Sequence, residues 1–406
     1  MNRNFTKNVV MKPKRILIHS VSCDGEGQLT YVVRIDGNIE RLKTSYSANV
    51  VKYLDIDRSD AAVMGLLMFA IENQMDIESE LPVSKTLYYK LIHHFIPGIC
   101  TGNIYRPCII AEVIHDVVSR GDICATGISC GIDSLYTIME HEKNVTDEFH
   151  LNHVAFLNAG AHHFGSRELI DVLYTGRRDL AIQFSKYSRL PLIEISTNLP
   201  EVLEKYSYYN HVRYHTYMML FCVLQIQSGI SKYYYSGGYP YGMFMCGMSG
   251  HPDLACSRYD LLTLWTATNS CIEFYSTGGS LSRFDKVRAL AGNEYSERFL
   301  NVCITSVKNC GQCIKCKRTL LELDAAGIIN RYCAVFDVDT YKKQRVKFIK
   351  EGYRGAVKGD VYLKELMPFF YKELTWAERL IQRIRIFCGR VVSFIHPDSW
   401  KIVIKG

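Results

Sequence analysis

The sequence predicts an α/β protein built on a doubly wound parallel sheet, and two observations carry this prediction. From Gly121 onward, five short runs are almost continuously apolar, as strands buried on both faces of a parallel sheet are. Longer segments of helical periodicity separate the runs, and this alternation of strand and helix is typical of doubly wound folds, whose ligands bind beyond the carboxyl ends of the strands. The five runs are "ICATGI", "HVAFLNA", "LPLIEIS", "KYYYSGG" and "CIEFYST".

The chain of 406 residues is long enough for a main domain with additions, and its 48% hydrophobic content is typical of a globular protein with a full core. No stretch approaches about 18 uncharged apolar residues, and the first residues, "MNRNFTKNVVMKPKR", lack the apolar run of a secretory signal. We therefore expect no transmembrane segment and a cytoplasmic location. Most of the fifteen cysteines stand alone and are expected to be buried or free thiols.

Three regions are expected. Residues 1–120 are interpreted as an N-terminal accessory α+β region, in which the strand-like runs "RILIHSV", "QLTYVVRID" and "NIERLKTSY" precede a helical stretch from about 58 to 96. Residues 121–330 hold the α/β domain. Residues 331–406 are interpreted as a mainly helical, basic extension, since 15 Lys plus Arg stand against 6 Asp plus Glu from Tyr341 onward. The rest of the chain is near neutral, which argues against nucleic-acid binding across the whole protein.

The first of the five runs turns into a helix through "SCGIDS", residues 129–134. A strand that leads into a helix directs unpaired backbone N–H groups and the positive end of the helix dipole at one point, which suits phosphate. Ser129 and Ser134 add hydroxyl donors, Gly131 permits close approach of the backbone, and Asp133 is a candidate Mg²⁺ ligand. The alternative is an ordinary strand–helix turn in which Asp133 or Ser134 caps the helix.

Four cysteines form a dense group in "CITSVKNCGQCIKCKRT". Cys303, Cys310, Cys313 and Cys316 have the spacing C-x6-C-x2-C-x2-C, and four thiolates at such intervals can close tetrahedrally around Zn²⁺. The polar residues between them indicate a surface segment rather than a set of unrelated core thiols. Four protein ligands leave no open position, so the site is expected to be structural, with an iron–sulfur cluster as the alternative.

Together, the two motifs resemble those of the PP-loop ATP pyrophosphatases, which have an adenine nucleotide alpha hydrolase-like fold. "SCGIDS" is similar to their "SGGxDS" signature, with Cys130 where the second loop residue is usually glycine. "CGQC", residues 310–313, resembles the zinc motif that closes the domain in the 7-cyano-7-deazaguanine synthase (QueC-like) family. The resemblance covers about residues 122–328. It implies ATP and Mg²⁺ at the loop, Zn²⁺ at the cysteines, and cleavage of ATP to AMP and pyrophosphate.

The resemblance also implies a substrate loop and a nucleotide pocket. "SGHPD", residues 249–253, is similar to the family's "SGYPD" substrate loop, although it is also compatible with a plain turn. "SRFDKVRAL" resembles a helix start that brings a lysine to phosphate, although Ser282 and Asp285 would equally form a capping box that leaves this lysine solvated. The residues implied are Ser249, Gly250 and Asp253 for the substrate, Lys286 for phosphate, Phe156 and Asn158 beside the adenine, and Arg213 as a basic contact.

These motifs predict an ATP-dependent ligase that adenylates a carboxylate or amide oxygen, after which an amine or ammonia displaces AMP. The acceptor would be a carboxylate-bearing small molecule, such as a deazapurine, or a partner protein. Ser129, Asp133 and Lys286 would act by positioning and by neutralising charge on the leaving pyrophosphate. One alternative is a sulfur transferase that carries a persulfide on Cys130. Another is a nucleotide-binding module without catalytic activity.

The basic extension ends in a segment with a further predicted role. In "WAERLIQRIRIFCGRVVSFI", apolar residues alternate with Arg379, Arg383, Arg385 and Arg390. Such a helix suits an anionic surface, RNA or a partner protein, and a docked helix with a solvated basic face is the alternative. A homodimer is also compatible with this interpretation.

Overall fold

The computed structural model describes residues 14–116, 120–143, 145–161, 167–251 and 254–395. These residues form twelve strands and fifteen α-helices, with short 3-10 and π-helical segments between them. The strands are β1 (Lys14–Cys23), β2 (Gln28–Ile35), β3 (Asn38–Tyr46), β4 (Met75–Ser79), β5 (Val83–Ser84), β6 (Ile109–Ile110), β7 (Val113–Ile114), β8 (Ile123–Gly127), β9 (His153–Asn158), β10 (Leu192–Thr197), β11 (Ile230–Ser236) and β12 (Glu273–Thr277). The helices are α1 (Asp60–Asn73), α2 (Lys85–Lys90), α3 (Ile96–Ile99), α4 (Ile132–Lys143), α5 (Arg167–Ser188), α6 (Leu199–Glu204), α7 (His211–Leu224), α8 (Asp260–Ala267), α9 (Arg283–Ala289), α10 (Glu294–Phe299), α11 (Ile314–Ala325), α12 (Val338–Lys358), α13 (Val361–Lys364), α14 (Met367–Glu373) and α15 (Trp376–Ile395).

Five parallel strands form one half of the main sheet, in the order β12-β11-β8-β9-β10. These are the five apolar runs of the sequence, so the prediction of a parallel, helix-flanked sheet is confirmed. Read from β10, the order is 3-2-1-4-5, in which the direction of winding reverses between the first and the fourth strand. The reversal lies between β8 and β11, and doubly wound sheets bind ligands at such a point.

Five of the N-terminal strands extend this sheet, while β5 and β7 pair with each other in a separate two-stranded sheet. β3 pairs antiparallel with β10, β2 and β1 continue as a meander, and β4 and β6 add parallel strands beyond β1, giving ten strands in all. The expectation of a continuous helical stretch from 58 to 96 was wrong, because β4 and β5 interrupt it. Residues 75–79 form a strand because they pair with β1, a long-range contact that local periodicity does not reveal.

Helices cover both faces of the sheet and enclose two apolar cores. On one face, α1 packs against α7, and both helices are buried along most of their length. This is because their sequences are apolar on all sides. On the other face, α4, α5 and α9–α12 enclose the second core. The loop at residues 129–134 leads into α4, which lies on the face of the sheet that carries this second core.

The C-terminal extension is helical and packs closely on the α/β domain. Phe348, Tyr353 and Phe370 are buried in the same core as Leu320 and Leu321 of α11. Among the residues that the structure describes, no helix combines the length and the apolar character that a bilayer crossing requires.

Candidate functional site

The loop between β8 and α4 lies at the reversal point of the sheet. Ser129 Oγ lies 3.1 Å from Ser134 Oγ, and the Gly131 backbone N–H donates to Ser129 Oγ at 3.3 Å. Ser134 Oγ in turn donates to the Gly131 carbonyl at 3.1 Å. The two hydroxyls and the first turn of α4 thus form one compact polar surface.

Cys130 has a backbone conformation that is unusual for a cysteine. Its φ is +55°, in the left-handed region that residues with a Cβ rarely adopt. The side chain is buried in the second core, and this burial raises the pKa of the thiol to about 12. Glycine adopts such a φ without strain, whereas a residue with a Cβ is disfavoured there. The thiol is protonated at neutral pH and shielded from solvent, which does not suit a sulfur carrier.

Asp133 accepts from two buried cations. Lys286 Nζ lies 3.0 Å from Asp133 Oδ1, and Arg283 Nη1 lies 3.0 Å from Oδ2. Burial opposes ionisation of the carboxyl group, but the two cations hold the pKa of Asp133 below its usual value. Each oxygen accepts from one cation, so Asp133 acts as their counter-ion in this arrangement.

The Lys286 side chain is buried and tightly packed where it extends to the loop. Ser282 caps the helix, since its Oγ accepts from the Asp285 backbone N–H, yet Lys286 is only 1% exposed and not solvated. Its Nζ also donates to the Gly237 carbonyl at 2.6 Å, at the end of β11. A Cβ at Gly278 would lie 2.8 Å from Lys286 Cε, so only glycine leaves room for this side chain.

The cationic network continues into the C-terminal extension. Arg283 Nε donates to the buried Glu322 at 3.1 Å, and the guanidinium of Arg318 lies 4.2 Å from the ring centroid of Tyr362. The Tyr362 ring also stacks on Tyr239, 5.9 Å between centroids, in the loop that follows β11. The extension therefore contributes directly to the surroundings of the loop, which the sequence did not indicate.

Lys315 is a further cation that sequence reasoning missed. It lies in the first turn of α11, inside the "CIKC" motif, and makes no ion pair with any residue that the structure describes. Lys315 is exposed overall, but partial burial of its ammonium group, followed by the nearby guanidinium groups of Arg318, Arg283 and Arg177, lowers its pKa, while Asp133 opposes this shift. The positive potential at Lys315 favours binding of an anion.

Asp260 is a buried carboxyl group at the same end of the sheet. A Cβ at Gly237 would lie 3.8 Å from Asp260 Oδ2 and 3.0 Å from Ser276 Oγ, so these groups surround the residue that accepts from Lys286. Burial raises the pKa of Asp260 to about 7. No motif pointed to Asp260, because it begins α8 as an ordinary first-turn acid would.

The four predicted cysteines converge on one point. Their sulfur atoms all lie within 4.8 Å of one another, with Cys303 Sγ and Cys313 Sγ 4.0 Å apart. Sulfurs around tetrahedral Zn²⁺ are about 3.8 Å apart for Zn–S bonds of about 2.3 Å. The group can therefore hold a metal such as zinc.

Backbone donors face these sulfurs, as thiolate ligands require. Cys310 Sγ accepts from the N–H groups of Gln312 and Cys313 at 3.4 and 3.2 Å, and Cys313 Sγ accepts from Cys316 at 3.5 Å while it caps α11. Burial of Cys310 opposes ionisation, but the two N–H donors lower the pKa of its thiol to about 6. Gly311 makes the turn possible with a φ of +68°.

The cysteine group is joined to the loop. The Asn301 backbone N–H donates to the Cys130 carbonyl at 2.8 Å, and Arg177 Nη2 donates to the Cys303 carbonyl at 2.8 Å. Arg177 also contributes to the positive potential at Lys315. A metal at the cysteines would hold both the loop and the start of α11 in place.

A cleft of about 570 Å³ opens beside Tyr239 and next to the expected substrate loop. Arg258 lines it, with its guanidinium 4.3 Å from the Tyr239 ring centroid, and so does His251 of "SGHPD". Ser249 and Gly250 are exposed, and the Ser249 N–H donates to Thr101 Oγ1 at 3.2 Å. Asp253, the third residue expected to contact the substrate, lies outside the described residues.

Three other predicted residues have mainly packing contacts. Phe156 is 5% exposed, and its ring lies 6.0 Å from that of Tyr174. Asn158 donates to Ser196 Oγ at 3.0 Å, across neighbouring strands. Arg213 forms an ion pair with Glu72 of α1 at 2.7 Å, which fastens α7 to the N-terminal region. The structure does not bring Arg213 to the loop.

No protein-family model, curated protein or solved structure matches this chain.

Proposed function

We propose that the protein is an ATP-dependent, AMP-forming ligase of the PP-loop, QueC-like type. One observation carries the proposal: a serine- and glycine-containing loop starts a helix at the reversal point of a doubly wound sheet, and two buried cations contact its Asp133, with two more close enough to interact with the Asp133 charge. Ser129, Gly131 and Ser134 hydrogen-bond to one another within the loop, and a bound phosphate would accept from the Gly131 N–H and the two hydroxyls in their place. Lys286, Arg283, Lys315 and Arg318 supply positive charge around it.

The reaction has two steps. A carboxylate or amide oxygen of the acceptor attacks the α-phosphorus of ATP, the bond between the α-phosphorus and its bridging oxygen breaks, and pyrophosphate leaves. An amine or ammonia then attacks the activated carbon, AMP leaves, and the nitrogen loses a proton. Mg²⁺ bound to ATP would neutralise part of the phosphate charge.

The chain's own groups stabilise the departing pyrophosphate. The loop donors and the dipole of α4 bind phosphate oxygens, and Lys315 faces the same region without an ion-pair partner among the described residues. Asp133 keeps Lys286 and Arg283 in place, so that little reorganisation is needed when charge develops. With a pKa near neutrality, Asp260 suits the role of the base that accepts the proton of the attacking nitrogen.

The cleft beside Tyr239 is the proposed acceptor site. Arg258 can pair with a carboxylate, and the apolar part of the wall, Val212, Met245 and Leu254, accommodates a ring or an apolar chain. A deazapurine and a side chain of a partner protein both satisfy these requirements. Zinc at the four cysteines would have a structural role.

The experiment compares two lysines of the same helix. We expect Lys315→Ala to weaken binding of α,β-methylene-ATP, measured by titration calorimetry, roughly tenfold or more, since a charge-assisted contact contributes about 1.5–3 kcal/mol. The matched control is Lys317→Ala, because Lys317 pairs with Glu351 at 2.9 Å and its ammonium lies 5.2 Å from the Phe348 ring centroid. Equal affinities for the two variants would contradict the phosphate site.

Products distinguish the ligase from the other interpretations. Radiolabelled ATP incubated with candidate carboxylates should yield AMP and pyrophosphate. Binding without turnover would favour a non-catalytic module, and transfer of sulfur from a labelled donor would favour the transferase.

A further inference from the structure

One side of α15 carries a continuous row of exposed apolar side chains. Trp376, Leu380, Ile384 and Phe387 are 70%, 41%, 51% and 68% exposed, and Ile381 beside them is 48% exposed. The first four are spaced by four, four and three residues, which places them on one side of a helix. A contiguous row of five exposed apolar side chains on a protein surface indicates an interaction site.

The opposite side of α15 is attached to the body of the protein. Ile386 and Gln382 are 7% and 3% exposed, and Gln382 Oε1 accepts from Arg354 of α12. Arg383 Nε also donates to the Tyr353 hydroxyl at 3.0 Å. These contacts fix the rotation of the helix, so the apolar row faces outward.

Positive charge flanks the apolar row. The segment from Trp376 to Ile395 contains four arginines and one glutamate, and this glutamate, Glu378, pairs with Lys350 at 3.0 Å. By helical position, Arg383 lies along one edge of the row and Arg385, which is exposed, along the other. The surroundings of the row are therefore cationic.

We propose that α15 binds the surface of an anionic lipid bilayer. The helix would lie in the plane of the interface, with the apolar row at the boundary of headgroups and acyl chains and the flanking arginines among lipid phosphates. Outward-facing Trp, Leu and Phe between arginines are the combination that interfacial helices use. A second copy of this chain would bring two arginine-flanked rows together, and this repulsion disfavours it. The inference does not depend on the proposed ligase activity.

The test is flotation of the full-length protein with vesicles. We expect binding to phosphatidylcholine vesicles that contain phosphatidylserine, and much weaker binding to pure phosphatidylcholine. The double variant Leu380→Gln/Ile384→Gln should weaken binding about tenfold or more, because two buried aliphatic side chains are lost from the interface. Arg385→Ala should weaken it about fivefold and only on the anionic vesicles. All three residues are exposed, so the variants should remain folded.

The matched control is Val346→Gln. Val346 is 58% exposed on α12 and lies outside the row, so this variant should bind as the parent does. Absence of vesicle binding by the parent would overturn the proposal. So would equal binding to both lipid compositions, or a concentration-dependent dimer that the double variant abolishes.

Discussion

Cys130 illustrates how a single backbone angle determines which residue suits the loop. An L-residue in the left-handed region costs about 1–2 kcal/mol, and the buried thiol offsets this by packing in the second core. Neither contribution requires the sulfur to react. Substitutions at Cys130 can therefore distinguish a purely conformational role of this residue from a chemical role of its thiol.

We predict that Cys130→Gly is more stable than Cys130→Ala by about 1 kcal/mol, measured by urea denaturation. Both variants lose the sulfur atom, so their difference isolates the positive φ, which glycine adopts without strain. Both should retain turnover if the protein is a ligase. Loss of product in both folded variants would favour the sulfur-transferase interpretation.

At this scale, the sequence predicted the loop residues that lie next to one another. Of the residues that reach the loop from distant parts of the chain, it indicated Lys286 through the family resemblance and missed the others. Ser129, Gly131 and Asp133 follow each other in one loop, so the pattern alone indicated a phosphate site. Arg283 reaches Asp133 across 150 residues of chain, and nothing in its surroundings distinguishes it from a helix-surface arginine. Lys315 and Asp260 were missed for the same reason.

At the scale of secondary-structure elements, the four-cysteine group that can hold a metal also forms the start of α11. Cys313 caps α11, so the ligand set and the helix start are the same structure. Its spacing could be read from the sequence because three of the four ligands lie within seven residues. Its contact with the loop could not, since the Asn301 to Cys130 hydrogen bond joins distant parts of the chain.

We predict that the purified protein contains about one zinc per chain and that Cys313→Ser loses it, as elemental analysis would show. Structural zinc contributes on the order of 10–16 kcal/mol in small zinc-finger peptides, so the start of α11 and the adjoining loop should become sensitive to proteolysis. Cys333→Ser is the control, because Cys333 is exposed and lies outside the group. Full resistance of Cys313→Ser without metal would contradict a structural zinc site.

Considered as a whole, the molecule is joined across the expected boundaries at 120 and 330. β3 completes the edge of β10, α1 covers α7, and α12 covers α11. The sequence predicted the strands of the α/β domain because each is locally apolar. It did not predict that the N-terminal strands join the parallel strands in one sheet. The pairing of β3 with β10 depends on how the whole chain folds and not on the local sequence of either strand.

We predict that residues 121–330 do not fold alone. Without the neighbouring regions, the fragment would expose the edge of β10 and the apolar faces of α7 and α11 to water. Thermal denaturation followed by circular dichroism should show no cooperative transition for the fragment and one for the full chain. A fragment that melts cooperatively near the temperature of the full chain would show that the region is autonomous.

The pairing of β3 with β10 also has a consequence for synthesis of the chain. Tyr46 pairs with Ile195, so the N-terminal meander leaves the ribosome 149 residues before its neighbour in the sheet. At about 5–20 residues per second, the edge of β3 waits roughly 8–30 s for its partner. During that interval it is an open template for pairing with another nascent chain, so yield during expression should depend on translation rate and on chaperones that shield strands.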